Sequence, residues 1–379
     1  LHRYASDAFV LVVVLHLAMV HGAIYDAVNA IDGRHDGYLL RSRLGAPTDS
    51  KDAAAGTAAY RVLKSLFPTN ATLDGQYATF LGAIPDGAAK TRGIAVGEAA
   101  AAAMIAARTL DGRFGPSRFS TGTGAGDWRP TPPSNVNDPN GWLKDVKPFL
   151  IQSASQFRTD GPYSLGSRRY ARDFAEVKAY GRLTGSARND DQTLAANYWA
   201  LNPPATWTRI FRTLSTQEGL STVENARFFA MLYMTAADAL IAVWDDKEFW
   251  SYWRPITAIH EADTDGNPRT EQDDTWSPLI GTPPYPEHPS GHTGLSGSIV
   301  ATLQAFFGTD TMSWSDTNSA GTPRFTRFSD VIEEIVDARV WSGIHFRNAD
   351  EQGAKMGRQI AKYRDRHFFE RVHRHHDDD

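Results

Sequence analysis

Helical periodicity is the feature that most constrains the fold of this chain, because it recurs along most of the 379 residues while alternating strand patterns are scarce. The strongest example runs from Thr91 to Leu110, where Ala, Met and Ile are followed by a stop at Asp111-Gly112. Comparable patterns predict an apolar first helix ending at Asp32-Gly33 and further helices over 52–67, 167–182, 190–201, 222–243, 296–307, 328–341 and 348–364. The sequence therefore predicts a mainly α protein.

The spacing of these helices predicts one large domain over residues 1–370, built from helical bundles with long connecting loops. We expect two packed four-helix-type bundles, followed by a disordered tail over 371–379. The irregular stretch from Gly112 to Gly141 is rich in Gly, Pro, Ser and Asn. Loops of this length inside a compact domain are commonly functional, so its aromatic residues either cover a pocket mouth or pack as part of a surface loop.

Composition excludes several classes of function. A net charge of −5 gives no electrostatic support for a nucleic-acid partner. The absence of cysteine excludes disulfides, thiolate metal sites and a cysteine nucleophile. The longest apolar run, from Phe9 to Val20, is too short to span a bilayer, so no transmembrane segment is expected. Its length also suits the core of a signal peptide, but the pattern continues to Asp32 and favours a buried helix.

Three short segments supply the groups that one tetrahedral oxyanion needs, since a buried anion requires fixed cations and N–H donors in place of water. The first segment, residues 247–255, contains Lys247 and Arg254 followed by Pro255. If it is helical, a seven-residue spacing places the two cations on nearly the same face. Taken alone, this pattern also fits two solvated surface charges.

The second segment is Pro-Ser-Gly-His over residues 289–292. Ser290 is a good N-cap residue and a helical pattern follows it, so free N–H groups are expected there, and such groups bind anions. Gly291 allows the backbone to approach a ligand closely. His292 then lies beside the anion, where it can donate or accept a proton. An ordinary helix cap explains the tetrapeptide equally well.

The third segment places Arg339 and His345 six residues apart, a spacing that does not share a face of one continuous helix. Gly343 lies between them and can end the helix. We therefore predict a helix end near Ser342 or Gly343, which lets His345 turn back towards Arg339.

In order, Lys-x6-Arg-Pro, Pro-Ser-Gly-His and Arg-x5-His resemble the signature shared by vanadium-dependent haloperoxidases and type-2 phosphatidic-acid phosphatases. The upstream segment Asp-Ala-Val-Asn-Ala-Ile over 26–31 and the helical pattern are similar to bacterial haloperoxidase-like proteins over most of the chain. The resemblance implies an anion site formed by residues 244–255, 285–292 and 339–350. It also implies bound orthovanadate, with phosphate able to occupy the same site.

The resemblance assigns a role to each matching residue. Cations neutralise the oxygens of vanadate or phosphate, and Ser290 and the Gly291 amide donate hydrogen bonds to them. His292 is the acid–base histidine, and His345 is the vanadium ligand or, in a phosphatase, the phosphorylated nucleophile. The residues implied to bind the cofactor are Lys247, Arg254, Ser290, Gly291, His292, Arg339 and His345, and the catalytic set is His292, His345 and Lys247.

One position departs from the superfamily pattern, which often has Asp four residues after the last histidine. Here Ala349 holds that place and Asp350 follows. The group that orients His345 is therefore open between Asp350 and a backbone carbonyl. A second carboxylate, Glu287, is expected to pair with His288 or His292.

Both chemistries of the superfamily use the same anion hole. The resemblance implies a haloperoxidase that uses hydrogen peroxide to oxidise bromide or iodide, and chloride in some members, to hypohalous acid for a small organic acceptor. Trp244, Tyr285 and His288 are candidates for the halide site, and aromatic neighbours strengthen this interpretation. The alternatives are a soluble acid phosphatase with a phosphohistidine intermediate and an anion-binding scaffold without catalysis. Export to the periplasm or outside is implied by resemblance, and a homo-oligomer is left open.

Overall fold

The computed structural model describes residues 5–372, which form twelve α-helices and one two-stranded sheet. The helices are α1 (Ala5–Asp32), α2 (Lys51–Leu66), α3 (Thr72–Gly82), α4 (Ala88–Ala107), α5 (Arg168–Tyr180), α6 (Asp190–Ala200), α7 (Pro203–Gln217), α8 (Thr222–Trp250), α9 (Pro255–His260), α10 (Gly291–Phe307), α11 (Phe328–Trp341) and α12 (Arg347–His367). Strands β1 (Thr311–Ser315) and β2 (Arg324–Arg327) pair antiparallel. The predicted mainly α fold is confirmed.

All the helices that periodicity predicted are present, and α11 has the predicted bounds. Helix α8 continues seven residues beyond the predicted end at Val243, because Arg158 pairs with Asp245 and Asp246 and neutralises the acidic pair there. Sequence periodicity missed α3, α7, α9 and the hairpin. Helix α9 has six residues and the strands five and four, which is too short for a period to show.

The chain divides into two compact units, the first of which contains Gly112–Ile210 and Asp238–Ala361. Its core includes an aromatic cluster from Tyr170, Tyr252, Trp253 and Phe346. Tyr252 and Trp253 directly precede Arg254, and Phe346 directly follows His345, so packing of this core fixes the backbone on either side of two candidate site residues.

Glycines bring α10 and α12 into close contact within the first unit. A Cβ atom at Gly353 of α12 would lie 2.7 Å from the carbonyl oxygen of Ser290, and one at Gly297 of α10 would lie 2.6 Å from that of Ala354. Backbone approach at these distances excludes any side chain. The start of α10 is therefore held against α12.

The second unit contains Val12–Asp111 and Phe211–Ala237 and continues from Lys362. Helices α2 and α4 pack closely, because a Cβ at Gly93 would lie 2.3 Å from the Ser50 carbonyl oxygen. The buried carboxylate of Asp26 accepts hydrogen bonds from the amides of residues 38, 39 and 40 and so fixes the turn after α1. The expected single domain over 1–370 stays a prediction.

Within residues 5–372, two helical segments are long and apolar enough to cross a bilayer by length and composition, Leu11–Asp32 and Thr222–Trp250. The first is longer than the run from Phe9 to Val20 suggested. The apolar windows are 67% and 89% buried inside the protein. Core helices pass the same test of length and composition, and burial is what a core helix shows.

The predicted irregular stretch between Gly112 and Gly141 contains turns but no helix or strand. Its residues Phe119 and Trp128 are buried, whereas Phe114 is exposed. The Trp128 amide donates to the Ser251 carbonyl, and the Trp253 amide donates to the Gly126 carbonyl. The loop thus packs on the segment that follows α8, and this contact is what fixes it.

The tail predicted over 371–379 falls mostly on residues 373–379, which lie outside the described residues. Arg371 forms an antiparallel bridge with His35, and the Val372 amide donates to the Arg34 carbonyl.

Candidate oxyanion site

Lys247 and Arg254 do not lie on one helix, which corrects the arrangement that their spacing suggested. Helix α8 ends at Trp250, Ser251 adopts a positive φ of 39°, and Arg254 is the N-cap of α9. The two heads converge nevertheless. The ring centre of Tyr285 lies 5.0 Å from Lys247 Nζ and 5.0 Å from Arg254 Cζ.

Both cations are fully buried and held by backbone carbonyls. Lys247 Nζ donates to Pro286 at 2.6 Å and Glu287 at 3.0 Å, and Arg254 donates through Nε to Tyr285 and through Nη1 to Ile344, both at 2.8 Å. An ammonium group has three donors, so one of Lys247 stays available, as does Arg254 Nη2.

The start of α10 has the predicted form. Ser290 is the N-cap, but its side chain makes no capping hydrogen bond, so Oγ remains available for another group. A Cβ at Gly291 would lie 3.1 Å from the Trp244 ring and 3.9 Å from Lys247 Cε, so glycine permits the close approach of this backbone to the cation. His292 follows on the first turn and is partly exposed, and its Nε2 has no hydrogen-bond partner among the residues that the structure describes.

Helix α11 ends as predicted. Its C-cap is Ser342, and Gly343 has a positive φ of 79°, which turns the chain so that His345 points back into the site. Arg339 is 6% exposed, and its Nε and Nη1 have no hydrogen-bond partner within residues 5–372. Burial lowers the pKa values of His292 and His345, and the charge of Arg339 lowers both further.

Glu287, rather than Asp350 or a backbone carbonyl, contacts the second ring nitrogen of His345. His345 Nδ1 lies 3.0 Å from Glu287 Oε1. This also corrects the expectation that Glu287 pairs with His288 or His292. Asp350 is fully buried, and burial raises its pKa more than the nearby Ser290 and Arg339 lower it.

Burial dominates the electrostatics of the site. It lowers the pKa values of Lys247 and His345 well below their usual values, and neighbouring Arg254 adds to both shifts. Burial raises the pKa of Glu287 to about 7, although Arg254 and Lys247 act in the opposite direction. Each of these pKa shifts favours the neutral form of its group. The negative charge of a bound anion would instead favour the charged form of Lys247 and raise its pKa.

The halide-site candidates fall into two groups. Trp244 and Tyr285 are neighbours, with ring centres 4.9 Å apart, and the ring of Tyr285 adjoins both Lys247 and Arg254. His288 is buried, with Nε2 3.0 Å from Thr159 Oγ1, and burial together with the charge of Lys247 lowers its pKa to about 3. The structure therefore brings Trp244 and Tyr285 together and places His288 against Thr159.

Sequence reasoning missed one contact of His292. The ring centre of Trp199, on α6, lies 6.2 Å from that of His292 in an edge-on arrangement, and Trp199 Nε1 donates to Glu334. Trp199 lies almost a hundred residues before Pro-Ser-Gly-His, and nothing in its local pattern marks it out. Glu287, by contrast, stands two residues before Pro-Ser-Gly-His, where a carboxylate beside a motif was a usable signal.

The donors of the site fit a tetrahedral oxyanion. In the described part of the chain, the buried atoms without a hydrogen-bond partner include Arg254 Nη2, Arg339 Nε and Nη1, Ser290 Oγ and His292 Nε2. Buried polar atoms normally find a partner, so a cluster of this kind marks the place of a ligand. Two carboxyl groups adjoin these donors, Glu287 and Asp350. Their pKa values are raised, so they oppose an anion less than fully ionised carboxylates would.

The chain is similar to known proteins in sequence and fold. Residues 227–375 match a family model described as the VCPO second helical-bundle domain. The chain is 26% identical over 382 residues to the vanadium chloroperoxidase of Curvularia inaequalis, a match that takes in 79% of this chain and 62% of that protein. The chain thus spans less than two thirds of the length of this relative.

Two solved structures share the fold. The first bacterial vanadium-dependent iodoperoxidase superposes with a TM-score of 0.80 at 24% identity, over 95% of this chain and 92% of the other. A holo-type bacterial vanadium-dependent chloroperoxidase gives 0.72 at 17% identity, over 94% and 91%. The resemblance is confirmed, and residues 227–375, which match the VCPO second helical-bundle domain, contain every residue of the oxyanion site.

Proposed function

We propose that this protein is a vanadate-dependent haloperoxidase that uses hydrogen peroxide to oxidise bromide or iodide, with chloride a further candidate substrate. The observation that carries the proposal is the set of buried donor atoms on Arg254, Arg339 and Ser290 that have no partner within residues 5–372, together with His345, whose Nε2 lies 3.2 Å from Arg254 Nη1. Relatedness to the vanadium-dependent haloperoxidases supports vanadate as the occupant.

Each residue has a part in holding the cofactor. Arg254, Arg339 and Lys247 would balance the charge of the oxyanion, and Ser290 Oγ and the Gly291 amide would donate to its oxygens. His345 would bind vanadium through Nε2. Bound vanadate would supply activation of hydrogen peroxide as a Lewis acid, without a change in its own oxidation state.

His292 is the residue proposed to move protons. It is partly exposed and unpartnered at Nε2, and burial together with Arg339 lowers its pKa. A neutral imidazole at the start of α10 can take a proton from an incoming peroxide and return it to a departing oxygen. The ring of Trp199 packs edge-on against that of His292.

The halide would approach beside Trp244 and Tyr285. Their adjacent rings form an apolar wall next to Lys247 and Arg254, and such a wall favours a large, weakly hydrated anion over water. The product would be hypohalous acid, passed to a small organic acceptor. Secretion to the periplasm or the outside stays a prediction from the resemblance.

The test is bromide oxidation by metal-free protein in hydrogen peroxide, with and without added orthovanadate. We expect activity only with vanadate. A parallel sample is assayed for hydrolysis of a soluble phosphate monoester. Hydrolysis that vanadate inhibits, without bromination, would instead assign the protein to the phosphatase branch, with His345 as the nucleophile. Anion binding without either reaction would support a scaffold.

A further inference from the structure

The imidazole of His345 lies between a group that can only donate and a carboxyl group. Its Nε2 is 3.2 Å from Arg254 Nη1, and its Nδ1 is 3.0 Å from Glu287 Oε1. A guanidinium nitrogen has no acceptor capacity, so Nε2 must accept and cannot carry the proton. The neutral ring therefore has its proton on Nδ1 and donates it to Glu287.

Glu287 is itself held on several sides. Its Oε1 also accepts the Phe346 amide at 2.9 Å, its own amide donates to the Tyr252 carbonyl at 2.9 Å, and its carbonyl accepts from Lys247. The side chain is 1% exposed. A carboxyl group fixed in this way sets both the rotation and the tautomer of the imidazole that it contacts.

The second oxygen of Glu287 has room for a conservative change. Oε2 has no hydrogen-bond partner between residues 5 and 372, and Glu287 lines a cavity of about 10 Å³ together with Asp173, Tyr252 and His288. That volume is about the space of one water centre, and the lining is partly polar. We therefore expect this position to accommodate an amide in place of the carboxylate.

We propose that Glu287, supplied by the segment before α10, is the positioning residue that keeps the Nε2 lone pair of His345 directed at the oxyanion site. Glu287 takes the orienting role that the superfamily pattern assigns to an Asp four residues after the histidine, a position that Ala349 occupies here. This inference rests on the proposed function, because it takes vanadium to bind at Nε2. A tetrahedral anion that forms no bond to Nε2 needs only the cations and does not depend on Glu287.

The test compares vanadate and phosphate affinities of Glu287→Met and Glu287→Gln by titration calorimetry. Loss of a carboxylate partner typically lowers metal affinity by roughly 10–100-fold, so we expect that loss for vanadate in Glu287→Met. Phosphate affinity should change by less than about 3-fold, since the cations remain. Glu287→Gln keeps a carbonyl acceptor for Nδ1–H and should restore most of the vanadate affinity. The matched control is Glu261→Met, at a carboxylate that pairs with Arg129.

Equal losses for both anions in Glu287→Met would show a merely structural role and overturn the inference, as would no loss. A second measurement needs no variant. In NMR spectra of ¹⁵N-histidine-labelled wild-type protein without vanadate, the coupling pattern should assign the His345 proton to Nδ1. A proton on Nε2 would also overturn the inference.

Failure of the inference is distinguishable from failure of the proposed function. If Glu287→Met loses vanadate affinity as expected but the wild-type protein does not oxidise bromide, the proposed function alone is contradicted. Bromide oxidation combined with an unchanged ratio of vanadate to phosphate affinity in Glu287→Met would contradict the inference alone.

Discussion

Two buried polar regions of the first unit differ in how their charges are satisfied. The carboxylate of Asp238, on α8, accepts the amides of residues 149, 150 and 151 at 2.6, 2.7 and 2.8 Å. Nine residues further along the same helix, Lys247 enters a site in which Arg254, Arg339 and Ser290 retain unpartnered atoms. Full pairing marks a group that stabilises the fold, whereas missing pairing marks groups that await a ligand.

The unpartnered groups of the oxyanion site lower the stability of the anion-free protein. A buried donor or acceptor without a partner costs about 1–3 kcal/mol, more when charged, so the oxyanion site lowers the stability of the protein when no anion is bound. Binding an anion returns that free energy. The two regions should therefore respond oppositely to substitution.

The largest effect is expected at His345. His345→Ala removes the nitrogen proposed to bind vanadium and should lower vanadate-dependent bromide oxidation by roughly 1000-fold or more. Steady-state assays with saturating vanadate measure this. The control is phosphate affinity, which should persist because the cations remain. Activity within tenfold of wild type would show that the catalytic residue has been wrongly assigned.

Asp238→Ala is expected to cost about 3 kcal/mol or more in free energy of unfolding, because three buried amides lose their acceptor. Urea denaturation measures it. Asp245→Ala on the same helix is the matched control, since its ion pair with Arg158 is partly exposed and such pairs contribute about 1 kcal/mol at most. Equal losses of unfolding free energy in the two variants would show that the buried pairing of Asp238 contributes no more than a partly exposed ion pair.

Arg339→Met should act in the opposite way to Asp238→Ala. It removes donors to the anion, so phosphate and vanadate affinities should fall roughly 10–100-fold, as charged hydrogen bonds contribute about 1.5–3 kcal/mol. The free energy of unfolding without anion should stay equal or rise, because an unpaired buried charge is removed. A marked loss of stability would show that Arg339 is structural.

The smallest effect is expected at Asp310, which contacts the start of α11, the helix that carries Arg339. Asp310 accepts from the Ser329 amide and hydroxyl, and although burial opposes it, hydrogen bonding from Ser329 and Gln304 lowers its pKa from 3.8 to about 2. Because the folded pKa is depressed, this stabilisation is present above about pH 4 and disappears as the pH falls towards 2.

Asp310→Asn should therefore cost about 1 kcal/mol at pH 7, because a neutral amide oxygen accepts these hydrogen bonds less strongly than a carboxylate does. The difference from wild type should shrink between pH 4 and pH 2. Urea denaturation across that range measures it, and a difference independent of pH would contradict the assignment of the pKa shift to these hydrogen bonds.

Sequence patterns predicted most of the helices, because a helix requires a periodic apolar pattern and end signals within a few neighbouring residues. Alanine-rich α4 and the Ser290 cap of α10 depend on neighbours within a few residues, and Gly343 ends α11 in the way its position indicated. The short helix α9 and the hairpin left no readable period. The bend after Trp250 depends on contacts from the loop before Gly141, which no local pattern contains.

The site was predictable as a set of residues but not as a set of contacts. The three motifs named the cations and histidines, while the pairing of Glu287 with His345 joins positions 58 residues apart. Trp199 reaches His292 from still further along the chain. Such contacts follow from how helices pack, and the motifs alone could not distinguish Glu287 from Asp350 as the partner of His345.

The most direct test of the account is a crystal structure of the protein soaked in orthovanadate, with anomalous data collected at the vanadium edge. We expect one anomalous peak within bonding distance of His345 Nε2, with oxygens contacting Arg254, Arg339 and Ser290. A peak at another place, or an anion that leaves these donors unpartnered, would contradict the central claim that they form the vanadate site.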